Sequence, residues 1–227
     1  MVLVGCAWFG AGVRGEKEVV VEGPLFREAA QQFESMTTTL YQHGTRVDRE
    51  AGSYKYDCVG MVSYALREAA PVAWATVFRE TGLAKGRIPS PPKYQVFFAG
   101  LAGEPKAGWE AVEKVSDLRP GDVVSWEHKT ANSSGHAVII AGLPKRQEDG
   151  EWLVKVFDAT SSPHGEGDSR RKDQRAQILE RTGKPSGLGH GMMVFVADAK
   201  SGALSGLRWS PGGKLRILPI GAGRPTR

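Results

Sequence analysis

Cysteine is scarce. Cys6 and Cys58 are the 2 in a 227-residue chain, too few for a disulfide scaffold. No CxxC, no HExxH and no Cys/His cluster occurs, so nothing points to a metal site, and no cofactor is implied. No stretch reaches the roughly 18 consecutive apolar residues of a membrane-spanning helix. Internal repeats, low-complexity segments and a linker that would split the chain are all absent. Charge of one sign is only mildly in excess, Lys+Arg 30 against Asp+Glu 25, net +5, with a pI near 9.2. Such basicity permits attraction to anionic polymers without demanding it. It comes with no nucleic-acid-binding motif, so no nucleic-acid partner is expected. Much of the excess lies in Arg170-Arg171-Lys172 with Arg175 and Arg181, a run that reads as a solvated loop.

What is present is an ordinary globular composition, 41% hydrophobic and 24% charged, compatible with one sizeable core. Residues 1–13 are apolar and rich in small side chains. Within them Leu3-Val4-Gly5-Cys6 is similar to a bacterial lipoprotein box. That makes Cys6 the candidate lipidation residue and 1–24 the remnant of a lipoprotein signal; a chance match of four residues is the other reading.

A short strand is expected at 19–21. Residues 25–40 read as a helix, because Phe26, Ala29, Ala30 and Phe33 recur at helical spacing. A polar loop over 44–52 leads to a helix at 63–70, and a further helix at 72–81 is closed by Gly82. Gly86, Pro89, Pro91 and Pro92 make 84–93 an irregular loop. Residues 94–101 are aromatic and undecided in type. Strands follow: 122–126 after the Pro120-Gly121 turn, 136–142, and 151–159, where Trp152, Val154 and Val156 alternate with Leu153, Lys155 and Phe157. A hairpin over 191–198 and 204–209 and a last strand at 215–220 complete the pattern. Helices first and antiparallel strands afterwards mean an α+β fold, its sheet packed on the helical half. One domain is expected over 25–220, with 221–227 as a C-terminal tail.

Cys58 stands in Tyr56-Asp57-Cys58-Val59-Gly60-Met61-Val62, directly ahead of a helix. A thiol there faces unpaired backbone N–H groups and the positive end of the helix dipole. Both favour thiolate over thiol, and the thiolate is the nucleophile. Asp57 is a good N-cap, and Gly60 leaves room for a substrate to approach. The bland alternative is a small buried hydrophobe.

A cysteine nucleophile needs a base, and the base needs an orienting partner. Among His43, His128, His136, His164 and His190, His136 has the most suggestive place, opening an apolar strand after the loop 130–135. The alternative is ordinary surface placement. If the strand at 136–142 pairs with that at 151–159, Asp158 falls beside His136, where its carboxylate could accept the Nδ1–H of the imidazole. An aspartate that merely ends a strand is the other reading. His164, in a glycine-rich polar loop, reads as solvated.

Four blocks, Asp57-Cys58-Val59-Gly60-Met61-Val62, Leu118-Arg119-Pro120-Gly121-Asp122-Val123-Val124, Gly135-His136-Ala137-Val138-Ile139-Ile140-Ala141-Gly142 and Val156-Phe157-Asp158-Ala159-Thr160, resemble the NlpC/P60 family in order and character. The resemblance runs over about 25–162. It implies a papain-like α+β fold and a cysteine peptidase that hydrolyses amide bonds in peptidoglycan stem peptides, next to D-glutamate or diaminopimelate, outside the cytoplasm. Carried over by position, Cys58 is the nucleophile, His136 the base and Asp158 the third polar residue. Tyr41-Gln42-His43-Gly44 is similar to the family's Tyr-x-x-Gly segment, which makes Tyr41 a substrate or oxyanion contact; a core aromatic is the alternative. Asp57 and Val59 flank the nucleophile as further substrate-binding candidates.

The chain departs from the family in Val59, where a serine is usual, and in Asp158, where His, Asn or Gln is more common. Backbone N–H groups are indifferent to the first change, and a carboxylate orients imidazole at least as well. The long stretch 71–108 is expected to add a lid or wall to the cleft. Peptidoglycan peptides are the expected partner, with a membrane reached only through lipidation at Cys6, and the chain is expected to be a monomer in the periplasm or cell envelope. An amidase or acyltransferase of the same fold, a non-catalytic wall- or partner-binding module, and a cytoplasmic location stay open.

Overall fold

The structure is a computed structural model that describes residues 22–130 and 133–226. The strand expected at 19–21 and the box around Cys6 lie outside the described residues. Four helices come first: α1 (Pro24–Ser35), α2 (Cys58–Ala69), α3 (Pro71–Glu80) and α4 (Pro91–Gly100). Between α1 and α2 lie three short strands, β1 (Thr38–Tyr41), β2 (Arg46–Asp48) and β3 (Ser53–Tyr56), in the order β1-β3-β2 with β1 parallel to β3.

The larger sheet takes β4 (Trp109–Ala111), β5 (Val123–Thr130), β6 (Ser133–Ile140), β7 (Lys145–Arg146) and β8 (Glu151–Thr160). After a separate ribbon of β9 (Ile178–Leu179) and β10 (Lys184–Pro185), it adds β11 (Gly187–Ala197), β12 (Leu204–Arg208), β13 (Leu215–Ile217) and β14 (Ile220–Pro225). Its order is β13-β12-β11-β8-β6-β5-β14-β4, with β7 on β8, and every pairing is antiparallel. The fold class is α+β.

The sheet is apolar on both faces. Val123, Ala137, Ile139, Phe157 and Ala159 pack under the helices with Leu25, Met61, Val62 and Leu66. Their neighbours Val124, Val138, Ile140, Val154 and Val156 point the other way, into a second core with Phe195, Leu207 and Ala222. Strands covered on both sides need no polar alternation, which explains the unbroken apolar run from Ala137 to Ala141. The second core draws on Leu207 near one end of the strand order and on Val112 and Ala222 near the other. An isolated Lys114–Ala203 bridge also joins the two ends. The sheet therefore curls on itself, with the helices on its convex side.

Several sequence expectations need correction. The helix expected to reach residue 40 stops at Ser35, with Met36 extended (φ −64°, ψ 137°). The β-branched run Thr37-Thr38-Thr39 that follows favours strand, and β3 supplies the partner. The 44–52 loop contains β2. Pro91 and Pro92, read as loop residues, occupy the start of α4, where a missing N–H costs nothing. The 71–108 stretch contributes α3 and α4, and α4 packs on β5, β6 and β14. Residues 221–225, expected as a tail, belong to β14, which lies between β5 and β4.

The family-like block at 118–124 has a structural job. Asp122 accepts from the Arg119 N–H at 2.8 Å, closing the turn, and binds the Arg224 guanidinium of β14 at 2.8 and 2.9 Å. Burial pushes its carboxyl up in pKa, against the pull of Arg224.

Candidate active site

Asp57 caps α2 as expected: its extended backbone ends the approach, and its Oδ1 accepts from the Gly60 N–H at 2.8 Å. The Met61 N–H bonds the Asp57 carbonyl. This leaves the N–H groups of Cys58 and Val59 without a protein acceptor among the described residues, beside a free, buried Cys58. The other Asp57 oxygen meets His43 Nδ1 at 3.1 Å. The Val59 side chain is buried in the core, so only its backbone faces outward chemistry. Gly60 is shut in by Thr45 and Asp57 of its own chain and gives no opening to substrate.

From the sheet side, β6 and β8 pair antiparallel through Ile139–Phe157 and Ile140–Val156. The pairing brings His136 and Asp158 together, Nε2 to Oδ2 at 2.7 Å. The imidazole also feels the Cys58 charge. The Nε2 contact corrects the expected tautomer geometry. Asp158 approaches from the neighbouring strand and takes Nε2. Burial pulls the His136 pKa down, but the Cys58 charge and the hydrogen bond to Asp158 outweigh it and raise it to about 10. At neutral pH the ring is held as an imidazolium against the Asp158 carboxylate.

Asp158 is the hub of a wholly buried polar cluster that the sequence did not reveal. Its Oδ2 also accepts from His164 Nε2 at 3.0 Å, and its Oδ1 from the Arg170 guanidinium. Burial raises its carboxyl pKa, yet Arg170, His164 and His136 together hold it well below the usual carboxylate range. Arg170 donates further to Asp168 Oδ2 at 2.7 Å and to the Gly187 carbonyl at 2.8 Å. Asp168 accepts in turn from the His164 and Arg170 backbone N–H groups. His164 Nδ1 meets the Trp209 carbonyl at 2.9 Å. Both His164 ring nitrogens thus face acceptors. The Trp209 ring lies 4.1 Å from His164 and 5.0 Å edge-on from His136.

Two expectations fall here. His164 is not on a solvated loop, since its side chain is 0% exposed. Arg170 does not belong with the solvated run, though Arg171 and Lys172 do. One signal in the sequence could have located this cluster. Glycines alternate in Gly187-Leu188-Gly189-His190-Gly191, leaving one face of β11 bare. A Cβ on Gly189 would meet Arg170 at 2.7 Å, and one on Gly191 would meet His164 at 2.7 Å. The bare face is where the cluster lies.

A cavity of about 240 Å³ opens beside His136, lined among others by Tyr41, Trp126, Arg181, Trp209 and Arg216. No residue of 71–108 lines it. Burial, then the charges of Cys58 and Asp57, push the Tyr41 phenol up in pKa, so it remains an O–H donor. No group of three His, Cys, Asp or Glu able to hold a metal ion occurs among the described residues. No family model, curated protein or solved structure matches the chain.

Proposed function

We propose that the chain is a cysteine hydrolase that cleaves amide bonds in peptidoglycan stem peptides. The observation that carries this reading is one imidazole, His136, hydrogen-bonded to a buried Asp158 and set in the field of the Cys58 charge, with the cysteine at a helix N-terminus. The order of the sequence blocks, which resembles the NlpC/P60 family, supports the substrate class, and the helix-on-sheet arrangement is consistent with a papain-like fold. The reading places the protein outside the cytoplasm, where that substrate is found. No helix among the described residues is long and apolar enough to cross a membrane, so Cys6 is the candidate attachment point.

In this mechanism the Cys58 thiolate attacks the scissile carbonyl carbon. The developing oxyanion is held by the Cys58 and Val59 N–H groups and the Tyr41 hydroxyl. His136 passes its Nδ1 proton to the departing amine, which leaves a thioester on Cys58. Neutral His136 then takes a proton from water, the hydroxide displaces the sulfur, and the acid product departs with the thiolate–imidazolium pair restored. Asp158 keeps Nε2–H in place throughout and transfers no proton.

The test is incubation with purified stem peptides, followed by mass spectrometry of the products. Wild-type protein should release fragments with a new free amine, and Cys58→Ala should lose turnover by at least about 10⁴-fold. Full activity in Cys58→Ala, or no cleavage by the wild type, would sink the reading.

A further inference from the structure

Arg170 is the one lysine or arginine that is buried among the described residues, 1% exposed, and it transfers no proton in the hydrolase mechanism. It lies in a short 3-10 helix, Ser169–Arg171, that is capped by Asp168. Its Nη2 donates to both the backbone carbonyl and Oδ1 of Asp158, which ties that residue's main chain to its carboxylate. Nε donates to the Gly187 carbonyl of β11 and Nη1 to Asp168, so the guanidinium is fixed from three sides. β11 leaves a seat for it: a Cβ on Gly189 would lie 2.7 Å from the Arg170 Cγ and 2.8 Å from Cζ and Nε.

Charge gives this seat a consequence. Asp158 and Asp168 place two carboxylates in a wholly buried cluster, and Arg170 is the fixed positive charge between them. Of the other groups bonded to Asp158, His136 and His164 can add positive charge only by holding a second ring proton. Burial raises the Asp158 carboxyl, and Arg170 is the strongest of the influences that oppose it. Without Arg170 a carboxyl in this place takes up a proton more readily, and a neutral acid no longer favours an imidazolium on His136. Cys58 on α2 and Tyr41 on β1 face the same pair and bring no positive charge. His190 on β11 and Tyr56 on β3 feel the Arg170 charge from the other side.

We infer that Arg170 is a positioning residue for the base of the cysteine: it keeps the Asp158 carboxylate charged and turned onto His136, and so sets how far into acid Cys58 stays reactive. The inference rests on the Cys58–His136 reading of the site and is independent of the substrate. Neither Arg170 nor Gly189 lies in the family-like blocks.

The test is the rate of Cys58 alkylation by iodoacetamide against pH, with Cys6→Ser as background and circular dichroism to show that each variant is folded. In Arg170→Gln the acid limb of the profile should move up by about one pH unit, with the alkaline rate unchanged. Arg170→Lys keeps the charge and loses the planar fork, so its limb should fall between the two. Gly189→Ala removes no charged group, yet its methyl displaces the guanidinium and should move the limb the same way; it decides the matter if Arg170→Gln does not fold. In an Asp158→Asn background Arg170→Gln should add no shift, because it acts through that carboxylate. An unshifted limb in folded Arg170→Gln or in Gly189→Ala overturns the inference. So does a rate that falls equally at every pH, which marks packing alone, or a shift that persists without the Asp158 carboxylate. A shifted limb without stem-peptide cleavage by the wild type defeats the hydrolase reading alone; cleavage with an unshifted limb defeats this inference alone.

Discussion

The site has two walls held by different physics. The cysteine wall is an apolar helix whose residues Met61, Val62, Ala65 and Leu66 are fully buried against the sheet. The carboxylate wall is a knot of charge, with Asp158, His164, Asp168 and Arg170 all within 2% of full burial. Apolar packing is non-directional and degrades in proportion to what is removed. Buried charges are satisfied only as a set, so loss of one partner leaves the others stranded in a low dielectric. The nucleophile thus rests on the tolerant wall, and the orientation of its base on the brittle one.

The sharpest way to break this comparison is to remove one member from each wall. Arg170→Met leaves Asp158 and Asp168 without their shared cation, with an expected loss of about 3–5 kcal/mol in stability by chemical denaturation. Cys58→Ala deletes one sulfur at the helix start and should cost about 1 kcal/mol or less in the same experiment. Equal losses would show that the charge cluster is not the brittle element.

A second contrast uses pH. His136 has its pKa raised to about 10 in the folded protein, against about 6.5 for an unperturbed histidine. Its stabilising contribution is therefore complete below about 6.5 and is lost as pH rises towards about 10. Asp158 is held below the ordinary value of 3.8, so its contribution is present above that value and is lost as pH falls below it. The stability gap between wild type and His136→Ala should narrow from pH 6 to pH 10, whereas the gap to Asp158→Asn should narrow only in acid. A His136→Ala gap that stays constant across the alkaline range would refute the imidazolium assignment.

The smallest effect expected is from His164→Gln, which can keep one donor on Asp158 but loses the second ring nitrogen. Outer partners of this kind typically contribute about 10–100-fold to the groups they orient. The rate of Cys58 alkylation by iodoacetamide, followed against pH with Cys6→Ser as background, should fall about tenfold. An unchanged profile would make His164 packing alone.

Much of this architecture is local enough to read from the chain. Asp57 caps the cysteine helix because a short side-chain carboxylate fits the N-terminal N–H groups whatever lies around it. The alternation in 151–159 gives β8, and its turn and partner give the juxtaposition of His136 with Asp158. What failed did so where remote contacts overrode local preference. The threonines after Ser35 became β1 only because β3 lies beside them, and residues 221–225 became a sheet strand because β5 and β4 leave a slot.

The sequence alone determined an α+β chain with one cysteine set at a helix start, one histidine opening a strand and an aspartate on the next, since caps, periodicities and turns act over a few residues. Tertiary structure alone decided which imidazole nitrogen meets Asp158, that Arg170 and His164 are buried with it, and that Arg181 and Arg216 share a cavity with His136. Those groups are tens of residues apart, and no local rule couples them. Burial and Coulomb interaction depend on distance through space, and only the folded chain sets that distance.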